Sequence, residues 1–223
     1  MLFIIAPHVV ADGQMANAEM IAREVGKSAS AAPGFVGRLV CHVLSNPNEV
    51  WSVVAWDNRQ SFDDWLANRR LPWAPDFPRQ VYAQGAALSE AMHFDLIDQQ
   101  GSFFSVLPPG NSRLGEVLEE APAIVIAPHV VRPEELYLGR RLIREVGESI
   151  RKAKGFIGRV ELGLQGSETR LWSISTWDNY QSFLNWRDSR TRDFWWKPEI
   201  NHIVFEQGAL AEEAVMMQIV TRE

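Results

Sequence analysis

Two histidines and two arginines are the side chains of this sequence best placed to do chemistry, because each sits at the same point of a repeated segment. His8 lies in Ala6-Pro7-His8-Val9-Val10 and His129 in Ala127-Pro128-His129-Val130-Val131, while Arg38 and Arg159 end Gly34-Phe35-Val36-Gly37-Arg38 and Gly155-Phe156-Ile157-Gly158-Arg159. An imidazole titrates near neutral pH and can take a proton from a substrate. A guanidinium offers a fixed fork of donors to a carboxylate or phenolate oxygen. The plainer reading has each histidine bonded to a neighbouring carbonyl and each arginine paired with Asp57, Asp178 or another acid. Around this core, Trp65, Trp73, Trp186 and Trp196 are candidate pocket walls, and the amides of Gln84 and Gln207 are candidate ligand contacts. His202 has no counterpart in the repeat and is the candidate for a lone haem or metal ligand. Nucleotide, zinc and serine-hydrolase chemistry lack a basis, since no Gly-rich phosphate loop, C-x-x-C, H-E-x-x-H or G-x-S-x-G occurs.

The repeat that places these residues has an offset of 121. It runs without a gap from Ala6 to Leu66 and holds 24 identities in 61 positions. They include Arg23-Glu24-Val25-Gly26 on Arg144-Glu145-Val146-Gly147 and Trp56-Asp57-Asn58 on Trp177-Asp178-Asn179. A two-residue insertion then aligns Trp73 with Trp196 and Gln84-Gly85 with Gln207-Gly208. Two modules follow, residues 1–98 and 123–223. Residues 99–122, rich in Gly, Ser and Pro, read as a linker.

Each module reads strand, helix, strand, strand, helix, strand. Phe3 to Val10 is a short apolar run, and Met15, Ala18, Ile21, Ala22, Val25 and Ala29 recur at helical spacing. Phe35 to Leu44 and Val50 to Ala55 form a hairpin about the turn Ser45-Asn46-Pro47-Asn48. Asp57-Asn58 caps the next helix with Gln60 as the reciprocal partner of Asp57, and Phe62, Trp65 and Leu66 make its apolar face. A strand near Ala91 to Ile97 closes the module.

Composition limits the partners. A formal charge of −6 with no Lys/Arg run gives no field for a phosphate backbone, so nucleic acid is not expected. The single Cys41 cannot form an internal disulfide, the opening segment lacks a secretory pattern, and no apolar stretch nears the roughly 18 residues of a membrane span. A cytoplasmic protein with a small-molecule partner is the expectation.

Pro33-Gly34-Phe35-Val36-Gly37-Arg38 followed by Trp56-Asp57-Asn58-Arg59-Gln60-Ser61-Phe62-Asp63-Asp64-Trp65, and the same pattern from Lys154 to Trp186, resemble the antibiotic-biosynthesis-monooxygenase family. The resemblance implies an α+β fold of two ferredoxin-like (βαββαβ) modules that form a dimeric α+β barrel, here as a pseudo-dimer within one chain. It also implies a cofactor-independent monooxygenase of a small aromatic or polycyclic substrate, with a haem-binding or haem-degrading barrel and a non-catalytic binding protein as alternatives. The haem-degrading branch carries an Asn on the first strand, a Trp on the second helix and a His ten residues later. Trp65 and Trp186 match that Trp, but His8 and His129 replace the Asn, and Pro75 and Trp196 stand where the iron ligand would be. The expectation is therefore no cofactor. His202 and the two extra residues tilt the choice of active module towards the second.

Overall fold

The period-two and period-3.6 patterns of each module become strands and helices in the expected order. The structure is a computed structural model and describes residues 1–87, 90–108, 110, 112–190, 197–208 and 213–223. The first module contributes β1 (Leu2–Val10), α1 (Met15–Ser30), β2 (Phe35–Val43), β3 (Asn46–Trp56) and α2 (Arg59–Asn68). A short helix α3 (Pro78–Val81), β4 (Tyr82–Gln84) and β5 (Met92–Gly101) complete it. The second repeats the plan with β6 (Ala123–Val131), α4 (Leu136–Ile150), β7 (Phe156–Leu164), β8 (Arg170–Trp177), α5 (Tyr180–Ser189), α6 (Pro198–Val204), β9 (Phe205–Gln207) and β10 (Val215–Arg222). Both modules are thus α+β with antiparallel sheets of the ferredoxin-like kind.

The described residues divide into two compact units that do not follow a single cut in the sequence. The first holds Met1–Phe94, Leu107–Leu118 and Gln218–Glu223, and the second holds Asp95–Val106 and Glu119–Met217. In the first unit β3 pairs with β1 and β2, and β4 pairs with the end of β1. The last residues of the chain add an edge beside β2, where the backbones of Arg38 and Glu223 exchange two hydrogen bonds of 3.0 Å. In the second unit β8 lies between β6 and β7, and β9 pairs with the end of β6. Among the described residues no helix is long and apolar enough to cross a membrane.

The helix-facing side of the first sheet packs Leu2, Ile4 and Trp56 with Ala29 and Phe62, and Val40 and Val50 with Ala18, Ile21 and Ala22. Phe3, Ile5, Leu39, Cys41 and Val53 on the opposite side are also fully buried. Two local expectations change. The β2–β3 turn is only Leu44-Ser45, since Val43 already pairs with Asn46 and Pro47 and Asn48 lie in the strand. The helix caps are Asn58 and Asn179, which accept from Ser61 N and Ser182 N at 2.9 Å. Gln60 does not return to the cap, because its amide bonds Asp64 one turn ahead at 2.8 Å. Asp57 serves the neighbouring turn instead. Its backbone N–H donates to Gly34 O at 2.8 Å, and its carboxylate and the Ser61 hydroxyl occupy the space a side chain at Gly34 would need.

Candidate functional site

Strands expose alternate residues to each face, so Ile4, Ala6 and His8 of β1 look the same way as Val50, Ser52, Val54 and Trp56 of β3. Between that face and the helices of the first unit lies a cavity of about 400 Å³. Ile21, Ala22, Val25 and Ala29 of α1 roof it, Phe62 and Trp65 of α2 close one end, and Trp73, Pro75 and Tyr82 stand at the other. This is the size and apolar character of a small-molecule pocket. Its polar side chains are few: His8, Arg38, Ser52, Arg69, Tyr82 and the tryptophans Trp56, Trp65 and Trp73.

His8 is fixed by a carbonyl. Its Nδ1 lies 2.5 Å from Gly85 O, and only an N–H can serve a carbonyl, so Nδ1 carries the proton and Nε2 keeps a lone pair. The ring stacks on Tyr82 with centroids 4.6 Å apart. Gly85 makes the contact possible. It has φ +79°, and a Cβ there would strike Pro7 O and the His8 Cα. Burial holds the His8 imidazole below its ordinary value; the Gly85 hydrogen bond opposes the shift, and the Arg38 charge reinforces it. Neutral at pH 7, His8 can accept a proton through Nε2.

Arg38 is 5% exposed and braces helix to sheet. Nε donates to Ser52 Oγ at 2.9 Å, and Nη1 donates to Ala22 O at 2.9 Å and to the Glu223 carboxylate at 3.1 Å. Its acidic partner is therefore Glu223 and not Asp57. Gly26 clears the path, because a Cβ there would collide with the Glu223 carboxylate and stand 2.9 Å from Arg38 Nη1. None of the described residues accepts from Nη2, and Arg38 lines the cavity, so a cationic donor remains for a ligand.

Trp65 is a half-buried wall whose Nε1 donates to Ser28 Oγ at 3.1 Å, and Arg69 lies 5.0 Å over its ring. Trp56, Phe62 and Trp65 touch one another at centroid distances of 5.4 to 6.0 Å. Trp73 also lines the cavity. Gln84 does not: it is exposed on β4, as Gln207 is on β9, and in both copies the useful group is the glycine after the glutamine. His202 is exposed on α6, and among the described residues no cluster of three metal-binding side chains occurs. Trp196 lies outside the described residues.

The second unit keeps the framework and carries bulkier residues at two of the roof positions. His129 Nδ1 bonds Gly208 O at 2.6 Å, Arg159 bonds Ser173 Oγ at 2.9 Å and Ile143 O at 3.1 Å, and Trp186 bonds Ser149 Oγ at 3.1 Å. The residues matching Ala22 and Ala29 are Ile143 and Ile150, both buried in the core. Trp186 is 6% exposed and belongs to that core. Val40 is matched by buried Glu161, 3.7 Å from Arg159, which is the acid this arginine meets in place of Asp178. Burial drives His129 down to about 4, against its hydrogen bond to Gly208. The cavity described above belongs to the first unit.

Residues 1–71 match the family described as antibiotic biosynthesis monooxygenase. No curated protein sequence matches the chain. Among solved structures, a candidate monooxygenase of Fusobacterium nucleatum subsp. nucleatum superimposes with a TM-score of 0.71 at 11% identity, over 100% of this chain and 93% of that one. One from Lactobacillus acidophilus gives 0.64 at 11% identity, over 99% and 93%. An anthrone oxidase-like protein gives 0.60 at 13% identity, over 100% and 92%. At such identities the likeness is one of fold.

Proposed function

We propose that the cavity of the first module, whose residues 1–71 match the antibiotic biosynthesis monooxygenase family, oxygenates a flat, mostly apolar aromatic or polycyclic substrate bearing an acidic phenolic or enolic group. The observation that carries this reading is a neutral imidazole, tethered through Nδ1, in an apolar cavity that also presents an unclaimed guanidinium N–H. His8 Nε2 takes the proton, and Arg38 Nη2 steadies the anion left behind. The anion is electron-rich enough to reduce molecular oxygen directly. One oxygen atom enters a substrate methylene to make a carbonyl, and the other leaves as water with the two displaced hydrogens. The reaction draws its electrons from the substrate and uses no bound cofactor. The apolar walls keep bulk water from the reduced-oxygen intermediate.

Substrate-dependent oxygen uptake with anthrone, a tricyclic ketone with an acidic methylene, tests this. His8→Ala should lose roughly 10²- to 10⁴-fold in turnover at a temperature where circular dichroism shows it folded, while His129→Ala, which loses the matching tether, keeps full uptake. Equal uptake by wild type and His8→Ala removes the base from the scheme. Tight binding without uptake makes the protein a carrier, and a bound-haem spectrum on titration with haemin replaces the scheme with the haem alternative.

A further inference from the structure

We propose that the cavity holds a second reading group at the end away from His8, the indole N–H of Trp56, which takes a carbonyl-type oxygen of the ligand. This deepens the function proposed above and rests on it. Trp56 is 0% exposed and lines the cavity, yet its Nε1 meets no acceptor among the described residues. An indole N–H can only donate, and buried donors are satisfied in nearly all native proteins. The second unit shows the ordinary solution: Trp177 Nε1 donates to Ser175 Oγ at 2.9 Å. At the matching position the first module has Val54, on the same face of β3 and lining the same cavity. Ser52, two residues further along that face, already accepts from Arg38 Nε. The missing acceptor is therefore supplied from within the cavity.

Register sets the spacing of the two groups. Trp56 pairs with Leu2 and His8 with Val50, six residues apart along β1, or roughly 20 Å of strand. Arg38 reaches Ser52 between them. The indole therefore reads a carbonyl oxygen at its own end of the cavity, on the far side of Arg38 from His8.

The probes are a dihydroxyanthraquinone and the matching dihydroxyanthracene, which has the rings and hydroxyls but no carbonyl. Both are titrated calorimetrically into wild type, Val54→Ser and Trp56→Phe. Val54→Ser gives the indole the internal acceptor that Trp177 has, so it should raise the melting temperature and weaken the quinone about ten-fold, with the anthracene unchanged within about two-fold. Trp56→Phe should weaken the quinone in the same way; if it does not fold, Val54→Ser decides. A Val54→Ser protein that keeps the full quinone preference overturns the proposal. Wild type that binds both probes equally leaves the cavity reading standing and removes the anchor. Wild type that binds neither removes the proposed substrate class itself.

Discussion

Ala22→Ile and Ala29→Ile transplant the second unit's own side chains into the roof of the first unit's cavity, and the outcome can be worked out in advance. Ile143 and Ile150 at the matching positions are 3% and 4% exposed, so the framework accepts isoleucine there. Each change adds three carbons facing the cavity, worth about 2.4 kcal/mol if fully buried. Loss of rotamer freedom returns about 0.5 to 1 kcal/mol, and the lower helix propensity of a β-branched residue a few tenths more. The net is about 1 kcal/mol of stabilisation per site. For a chain of this size that raises the melting temperature by about 2 to 4 °C for each substitution. The same carbons occupy space within a volume of about 400 Å³, so binding of a dihydroxyanthraquinone should fall at least ten-fold in the double variant. Scanning calorimetry reads the first quantity and isothermal titration the second. A double variant that melts higher and still binds the quinone as wild type does would falsify the assignment of the cavity as the binding site. One that melts lower would show that the roof is already packed.

Gly26→Ala should destabilise by about 1 to 3 kcal/mol and shift the urea midpoint down, because its Cβ meets the Arg38–Glu223 pair; Gly147→Ala should do likewise, with Arg159 Nη1 2.6 Å from the new Cβ. Trp186→Ala should cost about 3 to 5 kcal/mol as a core truncation, while Trp65→Ala costs less and weakens ligand binding more, since Trp65 is a half-buried wall of the cavity; equal melting losses would place both in the core. His129 has its folded value depressed to about 4 against an unfolded 6.5, so the unfolded chain binds the extra proton between those values. Its contribution to stability is full above pH 6.5 and is lost as pH falls towards 4. Between pH 7 and pH 5 this predicts a loss of about 2 kcal/mol, which His129→Leu should abolish and urea titration at the two pH values should reveal.

Element order, the two helix stripes and the hairpin were legible because hydrophobic periodicity is local and two copies report it independently. What each repeated residue does was less legible, because its partners come from elsewhere. Arg38 was visible as a repeated cation, but the serine 14 residues on, the helix carbonyl 16 residues back and the carboxylate 185 residues on follow no spacing rule. Gln84-Gly85 reads as a turn; that the Gly85 carbonyl fixes the imidazole of His8, 77 residues away, appears only in three dimensions. The Trp65–Ser28 and Trp186–Ser149 bonds left a usable trace, since both serines are identities of the repeat and sit three residues after the stripe residues Val25 and Val146. The sequence marks Asp57 and Asn58 together as the cap, since both are good capping types, and only backbone direction selects Asn58 and frees Gln60 from that role.

Comparing the two units separates framework from site more sharply than either does alone. The imidazole tied to a glycine carbonyl, the guanidinium tied to a strand serine and a helix carbonyl, and the wall tryptophan tied to a helix serine occur in both, so these contacts are determinants of the fold. The repetition of His8 and His129 is explained by their Nδ1 tethers and does not by itself argue for catalysis. Function has to be sought where the copies differ, and there the differences share a direction. The second unit carries isoleucine for alanine twice, a serine that satisfies its tryptophan, and a glutamate within 3.7 Å of its arginine. At the same positions the first unit leaves volume and an unsatisfied indole N–H. Open space alone would cost the fold packing energy, and an orphaned buried donor would cost it more. That both costs fall around the cavity that His8 also lines is the pattern expected if a bound molecule supplies the missing atoms.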